Sequence, residues 1–160
     1  MQPEELEWLI MNSMGGAFRP LFRMWQLDRE AAGTVKKAIA FYKRIRKTLW
    51  GDRYVLAEPV PFIELENRLA GHREAGIWEA YQNVAPDKGQ AALFVYRCMS
   101  SESERTFVLR GLEPTASYKV ESYSGAHAGI QTGATLMHDG IRVRLEHTRK
   151  ADILLFTRLG

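Results

Sequence analysis

Phe107 to Gly140 decides how this chain is to be read. It runs Phe107-Val108-Leu109-Arg110-Gly111-Leu112-Glu113-Pro114, then Ser117-Tyr118-Lys119-Val120, then Thr132-Gly133-Ala134-Thr135-Leu136-Met137-His138-Asp139-Gly140. Branched and aromatic residues give way to Gly or Pro at short intervals, which predicts strand, turn, strand, loop and a closing small-residue turn. The same rhythm holds on both sides. Tyr54–Leu56, Ile77–Tyr81, Ala91–Cys98, Thr106–Leu109, Tyr118–Tyr123, Ile141–Leu145 and Asp152–Thr157 read as strands. Breaks fall at Asp87-Lys88-Gly89, Glu113-Pro114, Ser124-Gly125, Asp139-Gly140 and Arg149-Lys150. Short strands at such spacing suit an antiparallel sandwich rather than a parallel α/β sheet. Pro59 to Gly76, with Pro59, Pro61 and Gly71, reads as a long loop.

Before Gly51 the period changes. Pro3 to Met14 is a short helix candidate, stopped by Gly15-Gly16, and Ala17 to Leu27 with Pro20 reads as an irregular connection. Asp28 offers an N-cap oxygen, after which Ala31, Val35, Ala38, Ile39, Tyr42, Ile45 and Leu49 repeat at three and four as one apolar stripe. The expected fold is therefore mainly β: an antiparallel β-sandwich over residues 51–160, preceded by one or two N-terminal helices within residues 1–50.

Composition narrows the function classes. With 160 residues and 46% hydrophobic content the chain can bury a core. Its longest apolar runs, such as Ala91–Tyr96, fall far below the ~20 residues of a membrane span. The acidic start Met1-Gln2-Pro3-Glu4-Glu5 lacks a secretory pattern, and the single Cys98 suits a reducing compartment, so a cytoplasmic location is expected. The net charge of +3 arises in the first 50 residues, which hold 9 Lys and Arg against 5 Asp and Glu. Lys36, Lys37, Lys43, Arg44, Arg46 and Lys47 crowd one helix as a solvated face. No aromatic interleaving or helix-turn-helix pattern accompanies them, which argues against nucleic acid.

The order R-G-L-x-P (Arg110–Pro114), Y-x-V (Tyr118–Val120) and T-G-x-x-L-M-x-x-G (Thr132–Gly140) resembles the C-terminal β-sandwich of the α-galactosidases of glycoside hydrolase family 36. Ala38-Ile39-Ala40-Phe41-Tyr42-Lys43-Arg44-Ile45-Arg46-Lys47 is similar to that family's final barrel helix. Ile77–Gln82 with Gly89–Arg97 is similar to the sandwich's first long hairpin. The resemblance covers residues 30 to 160. It implies that residues 1–50 correspond to the last unit of a (β/α)8 barrel and that the chain is the non-catalytic tail of a sugar-cleaving enzyme, bracing its barrel.

Catalysis by the chain alone is not expected. A retaining glycosidase needs two carboxyl groups about 5 Å apart, and the family's K-W-D and R-x-D motifs are missing, since no Asp directly follows Trp8, Trp25, Trp50 or Trp78. A whole barrel needs about 250 residues. Asp28, Asp52, Asp87, Asp139 and Asp152 fit cap and turn roles. His72, His127, His138 and His147 lack metal-site spacing, and Gly125, Gly129 and Gly133 form no phosphate-binding fingerprint, so neither a metal nor a cofactor is expected. Trp50, Trp78, Tyr81, Tyr118 and Tyr123 are the aromatics on which a sugar ring would stack, set against the commoner role of such residues in a core.

Two functions follow from this. One is an accessory region whose partner is a catalytic barrel; the other is a free-standing carbohydrate-binding module, taking α-galactosides among possible ligands. In the first case the helix Asp28–Leu49 packs on the barrel or on the sandwich, and with the barrel partner of the stripe through Val35, Ile39, Tyr42 and Ile45 missing, some apolar patch should be exposed or covered by a second copy of the chain.

Overall fold

The computed structural model describes residues 3–16, 24–57 and 78–160. The loop expected at Pro59–Gly76, the strand start at Ile77, His72 and most of the connection after Gly16 lie outside them.

Two α-helices come first, α1 (Pro3–Ser13) and α2 (Arg29–Ile45), with 3-10 turns at Met24–Gln26 and Thr48–Trp50. Among the described residues eight strands follow: β1 (Asp52–Ala57), β2 (Trp78–Val84), β3 (Gln90–Arg97), β4 (Glu104–Phe107), β5 (Ser117–Ser122), β6 (Ala128–Thr132), β7 (Ile141–Arg144) and β8 (Lys150–Arg158). A short helix, α3 (Gly133–His138), lies between β6 and β7. The strands form a six-stranded sheet in the order β1-β2-β3-β8-β5-β6 and a two-stranded sheet of β4 and β7, every pair antiparallel.

The large sheet is covered on both faces, and β3 shows how one strand serves two cores. Successive side chains point to opposite faces. Ala91, Leu93 and Val95 therefore enter the sandwich core with Trp78, Phe107, Tyr118, Leu136 and Phe156. Ala92, Phe94 and Tyr96 enter a second core with Leu6, Ile10, Met14, Val35, Ala38, Phe41 and Ile45 from the helices. A strand buried on both sides reads as an unbroken apolar run.

That second core decides between the two partners expected for the helix: α2 packs on the sheet of this chain, and the patch expected from a missing barrel partner is covered. Asp28 Oδ1 accepts the Ala31 N–H at 2.8 Å and starts α2 as expected. Val35, Ala38, Phe41 and Ile45 are all buried in the chain itself, with Ile39 and Tyr42 packed against the same cluster. The partner is the outer face of β3 and β8, through Phe94, Tyr96, Ile153 and Leu155. The exposed stripe, and with it the reason to expect a second copy, is removed. The helix also stops at Ile45 rather than Leu49, because Thr48 Oγ1 donates to Ile45 O at 2.8 Å and the chain tightens into a 3-10 turn.

The closing turn expected at Thr132–Gly140 is instead α3. Thr132 caps it, its hydroxyl accepting the Thr135 N–H at 3.1 Å, and Leu136 is buried. Gly133 is required by close approach: a Cβ there would lie 2.0 Å from Glu113 O. Gly140, at φ 78, supplies the left-handed residue that ends the helix. β6 is a further addition, since its residues are mostly exposed and carry no alternating pattern.

Candidate functional site

Three of the buried polar side chains, Arg97, Gln82 and Asp152, are engaged with backbone. Arg97 donates through Nε and Nη2 to Ser100 O, at 3.1 and 2.9 Å, through Nη2 to Ser101 O at 3.3 Å, and through Nη1 to Leu145 O and Glu146 O, at 2.7 and 2.8 Å. Its guanidinium thus ties the end of β3 to two loops. Gln82 exchanges two hydrogen bonds with the backbone of Arg110, its Nε2 donating at 2.9 Å and its Oε1 accepting at 2.8 Å. Asp152, almost fully buried, accepts from Ser124 N at 3.0 Å, Ser124 Oγ at 2.6 Å and Ile153 N at 2.8 Å.

The other aspartates keep the local roles expected of them where their contacts are seen. Asp87 Oδ1 accepts the Gly89 N–H at 2.8 Å, and Asp139 meets His138 Nδ1 at 2.7 Å on the surface. His127 Nε2 lies 3.0 Å from Arg142 O, and its Nδ1 is 3.9 Å from Asp152 Oδ2. Among the described residues no three His, Cys, Asp or Glu side chains gather as a metal site. No described helix is long and apolar enough to cross a membrane. Cys98 is half-buried beside the helix-side core, and burial, with Glu79 nearby, pushes its thiol up and away from reactivity.

The five aromatic candidates separate cleanly. Trp78, Tyr81, Tyr118 and Tyr123 are buried, so they are core residues and offer no platform to a ligand. Tyr118 shows why: its hydroxyl accepts the Glu113 N–H at 3.0 Å and donates to Lys88 O at 3.1 Å, stapling two turns. Trp50 is the opposite case, with 88% of its surface exposed. It borders a cleft of about 400 Å³ lined by Gly15, Gly16, Tyr42, Leu49, Arg53 and Asn83.

Strand parity builds that cleft. β1 pairs with β2 so that Arg53 stands directly opposite Asn83. Both lie on the helix-facing side, as does Tyr81, over whose ring the Arg53 guanidinium sits at 3.8 Å. α1 and α2 cover this side of the sheet over β3 and β8 but leave the outer strand β1 open, with Arg53 and Val55 exposed. Asn83 is only 3% exposed, and its Oδ1 has no hydrogen-bond partner among the described residues. Sequence reading named Trp50 but neither Arg53 nor Asn83, because their meeting depends on the β1–β2 register.

The comparisons with known proteins agree with this fold. Residues 78–156 match the glycosyl hydrolase family 36 C-terminal domain. No curated protein matches the sequence. Among solved structures, the galactosidase domain of the α-galactosidase–sucrose kinase AgaSK is 25% identical with a TM-score of 0.64, over 84% of this chain and 17% of that one. The family 36 α-galactosidase AgaA from Geobacillus stearothermophilus is 21% identical with a TM-score of 0.74, over 94% of this chain and 19% of its own. The α-galactosidase from Lactobacillus brevis is 20% identical with a TM-score of 0.63, over 87% and 18%. The chain thus spans less than a fifth of the length of each of these enzymes. The matched segment is just under half of the chain, and over residues 78–156 the chain is similar to a glycosyl hydrolase family 36 C-terminal domain.

Proposed function

We propose that this chain is the non-catalytic accessory region of an α-galactosidase-like glycoside hydrolase and braces its catalytic barrel, with residues 1–50 standing as the last barrel unit and 51–160 as the sandwich. The observation that carries this reading is the match of almost the whole chain, 94%, to only 19% of an α-galactosidase. The chemistry supports it as well. The carboxylates that are buried or capped are committed to backbone amides, so they are not free to act as nucleophile and acid across a sugar. A cytoplasmic place belongs to the same reading, supported by the lone unpaired thiol of Cys98.

Purified chain incubated with a chromogenic α-galactoside should give no turnover, and turnover would overturn the non-catalytic assignment. Added to a family 36 barrel lacking its own sandwich, the chain should raise the barrel's melting temperature. A barrel that melts unchanged removes the bracing role.

A further inference from the structure

We propose that the cleft beside Trp50 binds a neutral pyranose sugar, with the Trp50 indole as stacking platform, Asn83 Oδ1 as acceptor for one ring hydroxyl and the Arg53 guanidinium as donor to another. Three features of the cleft ask for that chemistry together. The indole is held outward: Thr48 is fully buried with its hydroxyl on Ile45 O, and Gly51 N–H closes the turn on Thr48 O at 3.1 Å. The turn lies close against β2 at Gly51, where a Cβ would meet Val84 O at 1.7 Å. A rigid, exposed aromatic face presents an apolar surface of the size of a sugar's CH face, at little entropic cost.

Asn83 supplies the second requirement. A buried amide oxygen without a partner is unfavourable in the free protein. It is satisfied by a ligand that brings a donor, and a hydroxyl does so where a carboxylate or phosphate would place acceptor against acceptor. Arg53 supplies the third. Its guanidinium sits over the Tyr81 ring at 3.8 Å, on the strand position directly opposite Asn83, and carries N–H donors only. An apolar wall with a few converging polar groups in a cleft of about 400 Å³ is the ordinary form of a small-ligand site. A hydroxyl-rich ring with one apolar face matches all three groups, whereas a peptide side chain matches only the indole.

The test is a titration of the whole chain with methyl α-D-galactopyranoside and methyl α-D-glucopyranoside, with galacturonate as a charged comparator, followed by the NMR signals of the Trp50 indole N–H and the Asn83 amide. Saturable, weak binding of at least one neutral glycoside is expected. Trp50→Ala should weaken it at least about tenfold without lowering the melting temperature, since the indole is exposed. Asn83→Leu should weaken it while holding or raising the melting temperature, because it removes an unsatisfied acceptor; an asparagine with a purely structural role would do the reverse. No saturable shift with any sugar, or saturation unchanged in both variants, overturns the site. The proposal does not rest on the bracing role. Barrel stabilisation that is lost in Trp50→Ala with no sugar response overturns the sugar site and makes the cleft a protein contact. Sugar binding without barrel stabilisation leaves the site standing and removes the brace.

Discussion

The two faces of the six-stranded sheet are equally dry but chemically different. On the sandwich side the one phenol among the fully buried described residues, Tyr118, has its hydroxyl bonded both ways, and the other buried members of the cluster are Leu, Val, Ala, Ile, Phe and Trp. On the helix side three phenols share the core. Tyr96 donates to Met11 O at 3.1 Å, Tyr81 stands 3.3 Å from Tyr96, and Tyr123 has a buried hydroxyl with no partner among the described residues. Rings organise this side too, with Tyr81 stacked on Phe94 at 4.7 Å and Phe41 edge-on to Tyr123 at 5.4 Å. One face is thus closed almost wholly by apolar packing, and the other by apolar packing shared with three phenols. The helix layer should be the separable half of the molecule.

The largest break in that contrast comes from Arg97→Met. The arginine lies on the sandwich-facing parity of β3, and its loss leaves the carbonyls of Ser100, Leu145 and Glu146 without their donor. A cost of about 3–5 kcal/mol is expected in urea unfolding, with the loops after β3 and β7 first to exchange their amide hydrogens. A cost below about 1 kcal/mol would show that water replaces the guanidinium there.

Alkaline pH sharpens the contrast from the other side. Burial, with Glu7 and Asp152 nearby, pushes the Tyr123 phenol up to about 12 from an ordinary 10.0. Burial pushes Tyr81 and Tyr96 up as well. A raised phenol keeps its proton longer when folded than when unfolded. Its contribution is therefore fully present below pH 10 and is lost as pH rises from there through about 12. Circular dichroism should show helical signal falling in that window before the sheet signal does. Simultaneous loss would mean that the two cores unfold as one.

The smallest effect is expected where α2 meets β5. Arg44 Nη2 lies 2.6 Å from Glu121 Oε2. Slight burial pushes the Glu121 carboxyl up, but the Arg44 charge and hydrogen bond, with Lys119 beside it, pull it below the usual range on balance. Both side chains are substantially exposed, so Glu121→Gln should cost less than about 1 kcal/mol and nothing in high salt. A larger, salt-resistant loss would show that the pair anchors the helix layer.

Much of this contrast was legible in the sequence. The Asp28 cap, the stripe of α2 and the apolar run of β3 are local patterns, and local patterns set helix starts and strand cores directly. The same sequence could not say which surface the stripe would meet, because that depends on β3 and β8 being apolar on both sides at once. Phe41 lies beside the three-and-four stripe in the sequence yet is buried in that core. α3 was hidden because Thr132, Gly133 and Gly140 are turn formers whose use as cap, close contact and terminator shows only once Glu113 lies beside Gly133. Of the cleft, only Trp50 was visible. Arg53 and Asn83 are unremarkable in isolation, and the β1–β2 register alone makes them neighbours.

The position of β8 has a consequence for how the molecule is made. β8, which follows all the other described strands, sits in the middle of the sheet, paired with β3 on one side and β5 on the other. Until it emerges from the ribosome, β3 and β5 each present an unpaired edge, and Leu93, Phe94 and Val120 are short of the neighbours they bury against. Synthesis therefore passes through a stage in which β1–β3 and β5–β6 are two unjoined halves of the sheet. Arrival of Lys150–Arg158 joins two half-sheets in a single step, so the interval before it is when the nascent chain most needs protection from its own edges.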